Sequence, residues 1–484
     1  MNGLYQRIAA QRDQRPDALA LQTGSRSLSY RQFVDLIDAT AVQFQSEGFG
    51  AGARVGWLGH NTPEMLTALL ACAKLGAVWV PLNWRLAAPE LAHIAQHAGL
   101  SVLKHTPELA ALAARVLADL ARLAPLPGPT GPADASQPGD VMLVYTSGTT
   151  GEPKGAMHGQ AGMLANIDMA LAVQNLTAQD RVLAVLPMFH VGGLCIQVLP
   201  ALAAGAAIKL HARFDAAAWL LDVATWRPST SLVVPAVMLA LLSHADWAGA
   251  DLGSLRFVNS GSSIVPVALI EAFHARGLPV AQVYGSTETG PVSIALRPHE
   301  ALARVGQVGQ PAPGVRLRLV DDLGRPVAAG QAGEIQLQAP NLMRRYHRLA
   351  GGAGFVDGWF ATGDLARADA HGYVTVVGRC KDMIISGGEN IYPGEIENLA
   401  AAWPGVAEAA VVGLPDLRWG EVPVLVLLAH AGAVLDLAAL RLHLELSLAR
   451  YKQPRQIVLV DVLPRTALGK IQKAALLAAL ALKK

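Results

Sequence analysis

The 484-residue chain reads as an α/β protein: a large N-terminal domain of layered α/β subdomains with a β-rich part, followed by a small α+β C-terminal domain. Three observations predict this. Short apolar runs alternate with helical patterns through most of the chain, as buried and mostly parallel strands do. A tighter two-residue alternation sets in near residue 315 and marks half-exposed strands. A chain of this length also exceeds what one hydrophobic core organises, so it divides.

Taken in order, Val55-Gly-Trp-Leu58, Val78-Trp-Val80, Leu183-Ala-Val-Leu186, Leu232-Val-Val234 and Phe257-Val258 are the buried strands. Leu109 to Leu123, rich in Ala, Leu and Arg, is a helix. Pro125 to Gly139 carries five prolines and three glycines and reads as a connector inside a domain. From Val182 to Ile208 no Asp, Glu, Lys or Arg occurs, which invites a membrane reading. Pro187, His190, Gly192, Gly193, Gln197 and Pro200 punctuate that stretch too heavily for a lipid-facing helix, so a buried strand and helix are expected. Val315–Val320 and Gly333–Gln338 supply the half-exposed strands. Beyond Gly378 come strands at Ala409–Val412 and Val424–Leu428 and helices near Leu437–Leu448 and Ile471–Leu482, with Asp436 as an N-cap. The domains are therefore set at residues 1–380 and 381–484. The last helix reads as ordinary packing rather than an amphipathic membrane anchor.

Composition excludes several functions. Apolar residues make up 52% and charged residues 16%, a folded enzyme-like balance and not a disordered one. Lys and Arg number 39 against 37 Asp and Glu, and no basic stripe interleaved with aromatics points to nucleic acid. Three cysteines, Cys72, Cys195 and Cys380, lie far apart, which argues against a disulfide framework and for a reducing cytoplasm. The N-terminus lacks the apolar core of a signal peptide.

The richest chemistry lies in Tyr145-Thr-Ser-Gly-Thr-Thr-Gly-Glu-Pro-Lys-Gly-Ala156. Four aliphatic hydroxyls, three glycines and one lysine share twelve positions. Glycines turn the backbone sharply and expose N–H groups, hydroxyls add donors, and lysine adds a point charge: an anion cradle for a polyphosphate. It is not the loop of P-loop NTPases, because Lys154 precedes the last glycine and no Ser or Thr follows it. The run follows the apolar strand Val141–Tyr145 and leads towards a helix-compatible stretch from Gly159.

This run resembles the phosphate loop of the acyl-adenylate-forming superfamily. Four further motifs of that superfamily follow in order: Tyr284-Gly-Ser-Thr-Glu288, Trp359-Phe-Ala-Thr-Gly-Asp364, Gly378-Arg-Cys-Lys-Asp-Met-Ile-Ile-Ser-Gly-Gly388 and Pro464-Arg-Thr-Ala-Leu-Gly-Lys470. The resemblance implies a two-step reaction, in which a carboxylate attacks the α-phosphorus of ATP and a thiol, that of coenzyme A, then displaces AMP.

It also implies roles. Thr146, Ser147, Gly148, Thr149, Thr150 and Lys154 would cradle the β- and γ-phosphates. Tyr284 would lie against adenine, Thr287 would contact the α-phosphate and Glu288 would hold Mg²⁺. Ser262, Ser263, Gly285 and Ser286 join the nucleotide contacts. Asp364 would take the ribose diol, backed by Arg379. Lys470 would bridge carboxylate and α-phosphate, a task suited to a compact charge on a flexible stem. The small domain would be mobile, swinging between half-reactions about Lys381, with Gly387 and Gly388 then lining the pantetheine tunnel. His190 would gate that tunnel, and Arg213 is a further candidate for the coenzyme A nucleotide.

The stretches implied for the acid pocket are those after His190, Val234–Met238, Ser260–Ser263, Gln282-Val283 and Gly290–Ser293. They contain no Lys, Arg, Asp or Glu. A dicarboxylate would want an arginine clamp and an amino acid an acidic partner, so an apolar acid is expected: aryl, hydroxycinnamyl or medium-chain acyl. Val283 occupies a position where many relatives have glycine and would shorten the pocket. Two alternatives are a stand-alone enzyme loading a carrier protein and a member that only binds nucleotide. Intact catalytic positions weigh against the second. The segment from Arg344 to Gly354 is shorter than is usual for the superfamily and is expected to be a peripheral loop; a homodimer is common among such proteins.

Overall fold

The computed structural model describes residues 3–24, 26–124, 126, 136–146, 153–349, 352–386, 389–465 and 470–481. Among these residues the strands form four sheets. The largest has nine strands and is built on the parallel neighbours Val280–Tyr284, Phe257–Gly261, Thr230–Val233, Arg181–Ala184 and Ala207–Leu210. A six-stranded sheet is built on Lys154–Gly159, Asp140–Thr146, Val78–Leu82, Arg54–Leu58 and Val102–His105. Its Arg54–Leu58, Val78–Leu82 and Val102–His105 strands run parallel.

These two sheets enclose a shared helical layer. Helices Leu4–Gln14, Tyr30–Ser46, Pro63–Leu75 and Gln160–Gln174 bury Leu4, Phe33, Leu66, Leu69 and Ile167 against Val182 and Ile208 of one sheet and Trp79 and Val144 of the other. On the outer face of the large sheet, Trp219, Met238 and Phe273 fill a second core, and Leu91, Ala92 and Val116 cover the smaller sheet from outside. The result is five layers, helix on sheet on helix on sheet on helix. Local signals fix the elements. Ser29 and Gln32 close a capping box at the start of Tyr30–Ser46, and Thr62 caps Pro63–Leu75.

The uncharged stretch behaves as expected. It forms the strand Arg181–Ala184, a buried helical run from Val191 to Ala204 with a π turn over Leu194–Val198, and the strand Ala207–Leu210. No helix among the described residues is long and apolar enough to cross a membrane.

A five-stranded antiparallel sheet follows, in which Arg316–Val320, Ala332–Gln338 and Trp359–Ala368 are neighbours and Val374–Arg379 pairs with Trp359–Ala368. The chain then makes a short 3₁₀ turn, Cys380–Asp382, and enters the last sheet at Ile384–Ser386. There Val406–Asp416 and Gly420–Ala429 form a long hairpin, and helices Pro393–Ala401, Leu437–Ser447 and Lys473–Ala481 pack against the sheet. Asp436 caps Leu437–Ser447 through the N–H groups of Ala438 and Ala439.

Candidate active site

The phosphate-loop sequence opens from the antiparallel pair Asp140–Thr146 and Lys154–Gly159, with Thr146 opposite Lys154. Lys154 thus begins a returning strand, and the helix starts only at Gln160. The two strands pair as a hairpin, so the loop between them leads into a strand and not into a helix N-terminus, and residues Gly155–Gly159 of that strand are buried. Ser147, Gly148, Thr149 and Thr150 lie outside the described residues, as do Gly387 and Gly388.

The Tyr284–Glu288 motif follows directly on the Val280–Tyr284 strand as a tight turn. Ser286 N–H donates to Thr289 Oγ1 at 2.8 Å, and Ser293 N–H returns to the Tyr284 carbonyl at 3.1 Å. Gly285 has to be glycine: a Cβ there would sit 2.2 Å from the Pro291 carbonyl oxygen. The turn lifts Glu288 towards the phosphate hairpin, where Tyr346 Oη donates to its Oε1 at 2.9 Å and Met343 N–H donates to its carbonyl at 2.7 Å. Behind it lies His158, buried at 1% exposure. Burial lowers the His158 pKa to about 4, against the opposing pull of the Glu288 carboxylate and the Thr287 backbone.

Asp364 and Arg379 meet across the Trp359–Ala368 and Val374–Arg379 strands. Arg379 Nε donates to Asp364 Oδ1 at 2.6 Å and Tyr284 Oη donates to Oδ2 at 2.8 Å. Asp364 N–H is itself held by Thr362 Oγ1 at 3.1 Å. Burial, then the adjacent carboxylate, pushes the Tyr284 phenol well above its usual range, so it remains a donor.

Lys470 reaches this same cleft from the far end of the chain. Crowding by both parts of the protein lowers its pKa through desolvation first and Arg379 second, with Asp364 and Glu288 pulling the other way. Its side chain nevertheless remains accessible to solvent. Lys381, in the Cys380–Asp382 turn, is exposed. Ser262 and Ser263 are exposed on the loop after the Phe257–Gly261 strand, with Ser262 at φ +70°. In that loop Ile264 approaches Gly394 of the C-terminal part.

His190 caps the Val191–Ala204 helical run, its ring 4.3 Å from that of Phe189. Burial, then the charges of Arg85 and Lys470, lowers its pKa to about 3, leaving a neutral imidazole. Phe189 in turn meets Trp84 edge-on at 6.4 Å. Arg85 lies 4.9 Å from the Trp84 ring and Arg213 lies 5.8 Å from it.

Sequence reasoning missed Tyr346, His158 and the Trp84–Arg85 pair as neighbours of the site. The expectation of a peripheral loop from Arg344 onwards also fails at its start. Arg344 and Arg345 both donate to Asp140, whose side chain is 0% exposed, at 2.7 Å each, because a carboxylate buried in the sheet needs such partners.

Sequence profiles now bear on this geometry. That of the AMP-binding enzyme matches residues 8–347, and that of the AMP-binding enzyme C-terminal domain matches residues 395–470. The chain belongs to the AMP-binding enzyme family. It is 43% identical over 480 residues to an indoleacetate–CoA ligase of Aromatoleum aromaticum, covering 95% of this chain and 94% of that protein. It is 40% identical over 470 residues to a feruloyl-CoA synthase of Amycolatopsis sp, covering 95% of each. Among solved structures, an anthranilate CoA ligase in complex with anthranoyl-AMP superposes with a TM-score of 0.91 at 28% identity, over 100% of this chain and 98% of that one. The o-succinylbenzoate CoA synthetase of Bacillus subtilis, in complex with its acyl-adenylate, gives 0.85 at 28% identity over 98% of each chain.

The residues of this AMP-binding enzyme fit a metal that arrives with the nucleotide. No cluster of three or more His, Cys, Asp or Glu side chains that could cage a cation occurs among the described residues. One carboxylate, Glu288, with one oxygen already held, suits Mg²⁺, which keeps several waters and takes one or two protein ligands alongside phosphates. The cleft therefore combines the cations Lys154, Arg379 and Lys470 with the carboxylates Asp364 and Glu288. Such a set can bring one anion to a polyanion.

Proposed function

We propose that this chain is an ATP-dependent, AMP-forming ligase that joins an apolar carboxylic acid, of aryl or hydroxycinnamyl type, to coenzyme A. The observation that carries this reading is the arrival of Lys470, from the C-terminal part, in the cleft that also holds Asp364, Arg379 and Glu288. The indoleacetate and feruloyl names of its relatives support an aromatic acid, as do uncharged pocket stretches and the buried Val283.

In the first half-reaction Lys470 lies between the substrate carboxylate and the α-phosphate. It draws the two anions together as the new P–O bond forms and the bond to pyrophosphate breaks. Asp364 accepts from the ribose diol through lone pairs not used by Arg379 and Tyr284. Tyr284, tied at its hydroxyl, offers a fixed ring face to adenine. Thr287 donates to the α-phosphate, while Thr146 and Lys154 bracket the β- and γ-phosphates. Glu288 would hold Mg²⁺, whose charge would offset that developing on the leaving pyrophosphate.

In the second half-reaction the thiol sulfur attacks the acyl carbon and AMP departs. His190, neutral at all working pH values, gates the thiol by its bulk and not by its charge. Arg85 and Arg213, held on Trp84, supply cations for the coenzyme A phosphates. Residues 381–484 act as a body that turns about Lys381, withdrawing Lys470 between the steps. The setting is a reducing cytoplasm.

The test is AMP release from ATP across benzoate, cinnamate, indoleacetate, aliphatic and dicarboxylic acids, each with and without coenzyme A. Turnover that needs coenzyme A and prefers an aromatic acid is the expected result. Slow AMP formation indifferent to coenzyme A would transfer the second step to a carrier protein, as in the fatty acid–[acyl-carrier-protein] ligase of Streptomyces coeruleorubidus, a relative at 34% identity. A preference for dicarboxylic acids would overturn the pocket reading.

A further inference from the structure

Two parts of the cleft far apart in sequence, the Glu288 turn and the phosphate hairpin, are joined by a single segment, residues 341–347. Its first residue, Asn341, is buried at 1% exposure and donates through Nδ2 to the carbonyls of Gly290 at 2.9 Å and Val292 at 3.2 Å. Met343 N–H takes the Glu288 carbonyl. Arg344 N–H and His347 N–H then donate to Met157 and Gly155 of the returning strand, each at 2.7 Å, and Arg345–Tyr346 adds to the sheet edge opposite Met157 and Ala156. The Arg344 and Arg345 side chains grip Asp140 on the outgoing strand. The backbone of Tyr346 is thus fixed from both sides before its side chain is considered.

That side chain touches both functional elements. Its hydroxyl donates to Glu288 Oε1 at 2.9 Å, and its ring lies 5.6 Å from Lys154 Nζ. A glutamate on a turn has three rotatable bonds, and Lys470 also lies within reach of its charge. A donor fixed by sheet hydrogen bonds removes that freedom from one oxygen and leaves the other available.

We propose that Tyr346 is a positioning residue that presents Glu288 to the nucleotide's Mg²⁺, holding one carboxylate oxygen so that the other meets the cation in a single geometry, and that its ring seats Lys154 beside it. This rests on the reading of Glu288 as the metal-binding carboxylate. The phenol hydroxyl is the donor in this contact and the carboxylate oxygen the acceptor. An outer hydrogen bond of this kind sets the orientation of a metal-binding group without touching the metal.

The experiment compares the full-length wild type with Tyr346→Phe and Glu288→Gln. Equilibrium dialysis of a non-hydrolysable ATP analogue is run with EDTA and across graded Mg²⁺. The thioester half-reaction is measured separately from supplied acyl-adenylate. Each titration is scaled to its own plateau, so a loss of folded protein lowers the amplitude and leaves the midpoint in place. Tyr346→Phe is expected to raise the Mg²⁺ midpoint roughly tenfold, with binding in EDTA and the thioester rate unchanged. If Glu288→Gln moves the midpoint and Tyr346→Phe does not, the role given to Tyr346 is wrong and that of Glu288 stands. If Tyr346→Phe slows the thioester half-reaction as much as it weakens Mg²⁺-dependent binding, Tyr346 is only structural and the proposal fails. If Glu288→Gln leaves the midpoint unmoved, the metal reading of Glu288 falls first.

Discussion

Asp364 and Arg379 face each other in register on neighbouring antiparallel strands, and the guanidinium Nε donates to Oδ1 at 2.6 Å. The carboxylate is 13% exposed and the guanidinium 46%. The pair is thus set by the sheet and open on one side, with Tyr284 closing the other oxygen. Asp364→Asn keeps the shape and removes the charge. With Asp364 as the ribose acceptor, KM for ATP should rise roughly tenfold or more, while KM for the acid changes little. Steady-state kinetics with each substrate varied in turn checks this, and an equal rise in both would remove Asp364 from the ribose.

Lys470 should matter to one half-reaction only. Lys470→Ala is expected to slow acyl-adenylate formation about 10²–10³-fold, the size of a lost group that stabilises developing charge. Thioester formation from supplied acyl-adenylate should keep its rate. Pyrophosphate exchange and a coenzyme A assay separate the two, and equal loss in both would contradict the swing.

Acid should destabilise the fold through His158. Its folded pKa is about 4, below the ordinary value of 6.5, so the unfolded chain takes up a proton in a range where the folded chain does not. Stability is complete above pH 6.5 and is lost as pH falls towards 4. By pH 5 the loss from this group is about 2 kcal/mol. Urea unfolding at pH 7 and pH 5 should show a smaller difference for His158→Gln than for the wild type by about that amount. An unchanged difference would mean that the imidazole is solvated.

Asp140 is the anchor under the phosphate hairpin. Asp140→Ala strips both Arg344 and Arg345 of their common partner, and Arg345 is only 10% exposed. Breaking a buried pair from one side costs about 3–5 kcal/mol. Urea midpoints should fall accordingly, and a loss below 1 kcal/mol would show that water replaces the carboxylate.

The parts of the fold legible in sequence were those whose local pattern and final environment agree. The buried strands around Val78, Leu232 and Phe257 are apolar on both faces, and the helix capped by Asp436 begins at a polar side chain that takes its N–H groups. Glu288, Asp364, Arg379 and Lys470 stand in separate motifs, and the first three lie within electrostatic reach of Lys470. What stayed hidden depends on pairing across the chain. Nothing local tells that Lys154–Gly159 returns as a strand, because Gly155 and Gly159 dilute its alternation. Arg345 and Asp140 are 205 positions apart, and neither advertises the other. His158 looks like any histidine in an apolar strand until Glu288 is folded against it.

The contacts of Asn341 bear on how such enzymes can be recombined. Gly290 sits at φ +61°, and a Cβ there would lie 2.2 Å from the Asn341 carbonyl oxygen. The two backbones are therefore fitted to each other as closely as facing halves of a mould. Residues 285–293 and 341–347 form one exchange unit: a chimera that imports the first keeps this backbone fit when it imports the second as well. Recombination of this scaffold is a matter of swapping matched pairs, not single loops.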